Sequence, residues 1–409
     1  MNIEIDTVKG FQDFLPPEST KRKAVVKIIE KYFELYGFAP IETTIVEFDE
    51  LMRPDTLPSQ QEDEAVSDRF RLKDKGGRNL GLRYEFTFQL QRILKQNPNL
   101  KMPFKRYQIG PVFRDEPVSA NRFRQFTQCD ADIIGNPDIE ADAECLALAN
   151  DTLKALGIES DIEINNRKLI QALIESVQIT DSKPIMRELD KLDKIGEDMV
   201  KLNLKKYADS NQILTLFKLL EKPLDFFLDN AFDGSADLDN LIKKCKLYGF
   251  TPKLNPFLMR GLSYYTSSVF EIKVKDSKDS IGGGGRYDKS VGRYLNKEIP
   301  AVGISFGLER LCSLAKIKIE QTPKAILISF NQDKETIKLA QVLRKAGISC
   351  VTTFGKPGKQ LEYANSLDIP YAIFIGEEEI AKKKFKLKEM SSGTEELLID
   401  KQIIKKLSK

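Results

Sequence analysis

The chain contains no histidine. That removes every mechanism in which an imidazole is the base, the nucleophile or a metal ligand. Chemistry is left to Arg, Lys, Asp, Glu, Tyr and backbone groups, which work through positioning and charge stabilisation. Cysteine is scarce: Cys129, Cys145, Cys245, Cys312 and Cys350 are widely separated, odd in number and form no CxxC pair. Reduced, mostly buried thiols are expected, and a zinc site is not. No apolar run approaches the ~18 residues of a membrane span, and MNIEIDTVKG lacks the apolar core of a signal peptide. The expected address is cytoplasmic, with no membrane partner. The formal net charge of +3 is too small to indicate a nucleic-acid partner by itself, so any basic surface must be local.

What is present is a chain of 409 residues, 41% apolar and 31% charged, which suits a soluble globular protein of two or three domains. Its most unusual stretch is FRDEPVSANRFRQFTQCDADIIG, Phe113 to Gly135. Strand-like periodicity runs from Gln108 to Glu116 and from Arg122 to Ile134, with Pro117, Ser119 and Asn121 in the connecting hairpin loop. In a strand Arg122, Phe126, Gln128, Asp130 and Asp132 share one face. Arginine, aromatic, amide and carboxylate side by side are wrong for a core and right for a small polar ligand.

The flanking chain reads as mixed α and β. A helix is expected from Glu18 to Tyr36, a hairpin from Arg69 to Thr87 with Arg83, Glu85 and Thr87 on one face of its second arm, and helices over Asp138 to Leu156 and Arg167 to Val177. From Ile179 to Tyr248 the chain turns helical and lysine-rich, the signature of an inserted subdomain. The run Gly282 to Gly285, ahead of Arg286 and Tyr287, permits a tight bend or close backbone approach to a ligand but lacks the ending of a P-loop. AVGISFGLERL is a strand passing into a helix that carries Glu309 and Arg310. Beyond Pro323 a βαβαβ alternation, a polar hairpin and a lysine-rich terminal helix describe a separate small α/β domain suited to RNA contact. Several arginines (Arg114, Arg122, Arg260, Arg310) point to a polyphosphate, because the guanidinium fork matches phosphate oxygens. The carboxylates Glu85, Glu116 and Asp132 are left for an exocyclic amine and a second, cationic substrate.

These residues resemble a known family. Phe113, Arg114 and Glu116 with Arg122 and Phe126 match motif 2 of the class II aminoacyl-tRNA synthetases, Gly307 to Arg310 match motif 3, and the Leu35 to Pro40 region resembles motif 1. Within that class RGLSYYTSSVFE and GGGGRYD are similar to the two signatures of the histidyl-tRNA synthetases, as are KGFQDFLP and RFRQFTQCDADIIG. The LDKLDKIG segment is similar to archaeal and eukaryotic relatives more than to bacterial ones, which makes the expected branch archaeal/eukaryotic-like.

The resemblance implies an α+β protein: a class II catalytic domain on an antiparallel sheet (1–178 and 249–320), interrupted by a helical insertion (179–248), with a C-terminal α/β anticodon-binding domain (323–409). It implies ATP-dependent attachment of L-histidine to tRNA(His) through a histidyl-adenylate, with Mg2+ accompanying ATP, in a homodimer. Arg114 and the signature arginine, Arg260, are the implied catalytic residues, with Arg260 also counted beside the bound histidine. Glu116 and Phe126 would take the adenine, and Arg122 with Arg310 the outer phosphates. Glu85, Thr87 and Gln128 would hold the substrate ammonium group, Asp132 and Tyr265 the imidazole, with Tyr264 and Tyr287 completing the pocket. Asp132 stands where the bacterial pattern has Glu, which shortens the reach to imidazole. The alternative is a catalytically silent regulatory subunit or tRNA sensor; such relatives typically lose the signature arginine or the anticodon domain, and this chain carries both.

Overall fold

Alternation of small apolar and polar residues sets the main sheet. The computed structural model describes residues 5–52, 68–119, 122–259, 264–277, 279–319 and 323–408. The chain divides into two units, Met1–Ile317 and Lys318–Lys409. In the first, the strands in chain order are β1 (Ala39–Pro40), β2 (Val46–Phe48), β3 (Arg71–Lys73), β4 (Asn79–Leu82), β5 (Phe104–Phe113), β6 (Gln125–Ile134), β7 (Ser160–Asn166), β8 (Lys253–Leu254), β9 (Ser268–Val274), β10 (Ser280–Arg286) and β11 (Ala301–Gly307). Strands β2, β4 and β3 form a small sheet, and the rest form an eight-stranded sheet in the order β1-β5-β6-β11-β10-β9-β7-β8. Its interior pairs are antiparallel; only the short edge strands β1 and β8 pair in parallel.

One face of this sheet is the core. Cys129, Ala131 and Ile133 of β6 and Val302, Ile304 and Phe306 of β11 point into a single apolar cluster. The helix Ile139–Ala155 covers them, and its buried Ala141, Ala143, Ala147 and Ala149 let it lie close to the strands. The helix Glu18–Leu35 adds Val25, Ile29 and Phe33, spaced four residues apart on one stripe. Helices between Ser182 and Leu247 contribute Ile185, Leu204, Leu216, Phe227 and Leu241 to the same cluster, so the lysine-rich segment shares its core with the sheet layer.

The other face is polar, and here strand limits depart from the sequence reading. Strand β5 stops at Phe113, before Arg114, and β6 starts at Gln125 rather than Arg122, because the hairpin tip narrows to an isolated Ser119–Arg122 bridge. Strand β4 ends at Leu82, so Arg83, Glu85 and Thr87 do not share a strand face. The glycine run is not a bend: Gly282 to Gly285 lie inside β10. Glycine ordinarily weakens a strand. Here a Cβ on Gly284 would sit 1.9 Å from the Gly303 carbonyl oxygen, and one on Gly303 would sit 1.9 Å from Asp132 Oδ1.

In the second unit β12 (Ala325–Ser329), β13 (Cys350–Phe354), β14 (Tyr371–Ile375), β15 (Phe385–Glu389) and β16 (Glu395–Leu398) form a sheet in the order β13-β12-β14-β15-β16. The first three are parallel and the last pairings antiparallel. A helix at Glu377–Lys382 was not legible in the sequence: it is too short to show a period, and is started by Glu379, whose carboxylate accepts from the Gly376 N–H at 3.1 Å.

The tight packing of β10 on β11 predicts that Gly284→Ala lowers the stability of the first unit by ~1–3 kcal/mol. A methyl at Gly358 of the second unit would meet nothing within 4 Å, and Gly358→Ala should change stability by less than ~0.5 kcal/mol. Urea unfolding followed separately for the two units checks both.

Candidate active site

The polar face of β6, β10 and β11 floors a cavity of about 600 Å³. Glu85, Thr87, Arg114, Glu116, Arg122 and Phe126 line it, together with Gln128, Asp132, Tyr264, Tyr265, Tyr287 and Arg310. The structure thus brings together every sequence-predicted site residue that it describes. Arg260, with Gly261 to Ser263 of the same run, and Asn121 of the hairpin loop lie outside the described residues.

One end of the cavity is cationic and aromatic. The Arg114 guanidinium lies 4.3 Å from the centroid of Tyr84 and 5.0 Å from that of Phe126, an arrangement worth ~0.5–2 kcal/mol per contact when partly desolvated. Its Nε is buried and has no hydrogen-bond partner. The Glu116 carboxylate accepts from Tyr84 Oη at 3.4 Å and lies 3.4 Å from Arg122 Nε. Arg310 is exposed on its outer side and donates to the Ser280 carbonyl of β10. Glu309, the residue before it, does not face free solvent: it accepts from Arg22 Nη2 at 2.9 Å and from the Thr127 N–H at 3.1 Å, which ties the helix Glu18–Leu35 to β6.

The other end is a floor of buried carboxylates. Glu85 accepts from Tyr264 Oη at 2.9 Å and from the Phe88 N–H at 3.2 Å. Burial still outweighs these bonds and pushes its carboxyl up to about 7. Asp130 accepts from Ser305 Oγ at 2.5 Å, and burial pushes it up to about 8. Asp132 accepts from Tyr287 Oη, and its Oδ2 lies 2.6 Å from Arg106 Nη2. That contact is off the direction of a hydrogen bond, since neither atom is satisfied by one, so the pairing is Coulombic. Burial raises Asp132 even so, and the Arg106 charge opposes the shift.

Three participants escaped the sequence reading. Arg106 is completely buried, and only the β5–β6 register, which places it across from Asp132, could have found it. Ser305 needs the β6–β11 register, which pairs it with Asp130. Tyr84, next to Glu85, was within reach of a local reading. Arg83, by contrast, serves the backbone: its Nε donates to the Pro111 carbonyl at 2.7 Å and its Nη1 to that of Thr43 at 2.9 Å.

An antiparallel sheet whose polar face carries an arginine-bearing hairpin and a glycine-rich strand pair, feeding a helix with a second arginine, defines the catalytic domain of a class II aminoacyl-tRNA synthetase; β12 to β16 form the α/β anticodon-binding domain. The family model "Histidyl-tRNA synthetase" matches residues 10–311 and "Anticodon binding domain" matches 324–409. The chain belongs to the histidyl-tRNA synthetase family. It is 36% identical over 416 residues to Histidine--tRNA ligase 1 of Bacillus cereus (strain ATCC 10987 / NRS 248), covering 96% of this chain and 95% of that protein. To the Histidine--tRNA ligase of Finegoldia magna it is 33% identical over 437 residues, covering 99% and 100%. The crystal structure of histidyl-tRNA synthetase from Nostoc sp. PCC 7120 superposes with a TM-score of 0.86 at 28% identity, covering 100% of this chain and 99% of that one. These relatives are bacterial, which overturns the archaeal/eukaryotic-like expectation. That expectation rested on LDKLDKIG, a short stretch spanning two small helices in which Leu189 is the buried residue and the lysines and aspartates are more exposed. Eight residues of likeness weigh little against identity that spans 96% of the chain.

The raised carboxyl of Glu85 has a consequence for stability. Folded protein holds a proton there that the unfolded chain releases, so this contribution is complete below the ordinary glutamate value of 4.5 and is lost as pH rises through about 7. Glu85→Gln should therefore remove ~1–3 kcal/mol of the decline in stability between pH 5 and 8. Urea midpoints measured across that range in both proteins check the slope.

Proposed function

We infer that this chain is a histidine--tRNA ligase that activates L-histidine with ATP and transfers it to tRNA(His) through a histidyl-adenylate. The observation that carries this reading is the division of one cavity into a cationic, aromatic end and a carboxylate end. A nucleoside polyphosphate suits the first. A small cation with a donor-rich ring suits the second.

In the proposed arrangement the ATP α-phosphate meets Arg114, whose free Nε offers a donor and whose stacking on Tyr84 and Phe126 fixes the guanidinium plane before substrate arrives. Such pre-orientation puts the cost of ordering into folding rather than into the reaction. Adenine lies on Phe126 with its exocyclic amine toward Glu116. Arg122 and Arg310 take the outer phosphates; Arg310 leaves the Ser280 carbonyl to do so, as its exposure allows. The histidine carboxylate attacks the α-phosphorus in line, pyrophosphate leaves, and Arg260 is assigned to the charge that grows on the α-phosphate. A terminal ribose hydroxyl of tRNA(His) then takes the acyl group. No enzyme imidazole is needed when alignment and charge stabilisation do the work.

Glu85, Thr87 and Gln128 are assigned to the substrate ammonium group. Asp132 and Tyr265 are assigned to the imidazole, with Tyr264 and Tyr287 holding Glu85 and Asp132 in place. A ring without donors in that position leaves Asp132 without the hydrogen bond the substrate would give it, which rejects analogues by up to ~10⁴-fold. Magnesium would arrive with the phosphates. Among the described residues no three carboxylate or thiol groups gather to hold a metal. We further propose a homodimer in the cytoplasm; among the described residues no helix is long and apolar enough to cross a membrane. The regulatory-subunit reading gains little from the ATP phosphoribosyltransferase regulatory subunit/histidyl-tRNA synthetase of Bacillus halodurans C, which at 20% identity and a TM-score of 0.75 shares the fold alone.

Pyrophosphate exchange measured with each standard amino acid in turn tests the proposal. Exchange is expected with histidine alone, and Arg114→Ala should reduce it ~10²–10³-fold. Exchange with another amino acid, or none with histidine, would remove the reading.

A further inference from the structure

Gln128 lines the cavity with one of its two amide groups already engaged. Its Nε2 donates to Ser305 Oγ at 3.0 Å, while its Oε1 is buried and accepts nothing. An amide has no intrinsic preference for this orientation over its flip. The preference must come from Ser305, and the serine hydroxyl has one proton to give. When Asp130 is ionised that proton goes to its Oδ1, at 2.5 Å. A hydroxyl that donates to a carboxylate meets its other neighbours through lone pairs, so in that state Ser305 accepts from Gln128, and the amide oxygen is left as the end without a partner.

We propose that Asp130, acting through Ser305, is the positioning residue that fixes the amide polarity of Gln128 and so makes this corner of the site accept hydrogen bonds from the ammonium group of the amino-acid substrate. This rests on the histidine--tRNA ligase reading given above and deepens it, because Gln128 was assigned from the family motif whereas neither Asp130 nor Ser305 had a role.

The three residues are held for the task. Gln128 and Asp130 are two apart on β6, and β11 sets Ser305 directly across from Asp130 in the ladder. Asp130 is only 4% exposed, so its charge is set by its neighbours rather than by bulk water. Facing it are Arg106, diagonally placed on β5, Asp132 further along β6, Ser305 on β11, and Glu85 on the cavity floor. Burial and two neighbouring carboxylates favour its protonated form, and Arg106 and Ser305 favour the ionised one. An arriving ammonium adds to the second side. Histidine binding and ionisation of Asp130 therefore reinforce each other, and the chain of donors is polarised most firmly when the substrate is present.

Steady-state pyrophosphate exchange on the full-length chain tests this with Ser305→Ala, Ser305→Thr and Asp130→Asn. Removing the hydroxyl frees the amide to present its NH2 to a cation, and KM for histidine should rise about tenfold or more in Ser305→Ala. Over the same set kcat should fall much less than KM rises, and KM for ATP should change by less than about twofold. Ser305→Thr keeps a hydroxyl in place and should recover most of the loss. Asp130→Asn should shift KM for histidine in the same direction, and the double variant Asp130→Asn, Ser305→Ala should be no worse than the poorer single one, since both cut one chain. An unchanged KM for histidine in Ser305→Ala, a parallel rise in both KM values, or a threonine no better than alanine would each overturn the proposal while leaving the ligase reading intact. Absence of histidine-dependent exchange in the unmodified chain would overturn both.

Discussion

The contact between Arg106 and Asp132 is the constraint around which the active-site face is arranged. Both groups lie inside the sheet, Arg106 with no exposure at all and Asp132 with 4%. A buried ion pair is weak evidence for stability, yet breaking one by removing a partner typically costs ~3–5 kcal/mol, because the survivor is left charged and dry. Four adjacent strands converge here. Strand β5 supplies Arg106, β6 supplies Asp132 directly across from it, the residue after β10 supplies the Tyr287 hydroxyl, and β11 supplies Gly303, whose missing side chain leaves room for the carboxylate. The glycine run is explained by the same crowding. Gly284 packs on the Gly303 carbonyl, so the backbone of β10 can approach only if it too lacks a side chain.

From that centre the polar face divides by charge. Toward the hairpin, Arg114 stacks on two aromatic rings that orient it without neutralising it, and Arg122 lies beside Glu116. Toward the sheet floor, Glu85, Asp130 and Asp132 share a small buried volume, with Arg106 opposing the two aspartates and Arg114 opposing Glu85, and burial pushes all three carboxyls upward. A chain without histidine therefore still has site groups that change charge near neutrality. In the proposed function this surplus of negative charge is the counterpart of an incoming ammonium group.

Much of this was legible in the sequence, and for identifiable reasons. The alternation in Gln128, Asp130 and Asp132 marked a polar strand face, and the helix Glu18–Leu35 was visible from Val25, Ile29 and Phe33. Motif residues distant in the chain, such as Arg114 and Arg310, were brought together through the resemblance, and the structure places them on one cavity. What stayed hidden depends on pairing between strands. Arg106 in isolation is one more charged residue in a strand, and Ser305 one more small one; their meaning exists only in the β5–β6 and β6–β11 registers. Of the two readings of the glycine run the bend fails, since backbone crowding holds it in a strand, while Gly282 to Gly284 do line the cavity. LDKLDKIG misled because local likeness in a largely solvated helical segment carries little about descent.

Asp132, whose charged form Arg106 favours against burial, is the residue assigned to the preference for histidine. Calorimetric titration of L-histidine into the unmodified chain and into Arg106→Met tests this directly, with ATP binding measured alongside. Methionine fills the space without the charge, leaving Asp132 dry and unpaired, so that it takes up a proton and no longer accepts from the imidazole. The predicted result is a loss of histidine affinity of at least ~10-fold with ATP binding retained. Undiminished histidine affinity in a folded Arg106→Met chain would contradict the account.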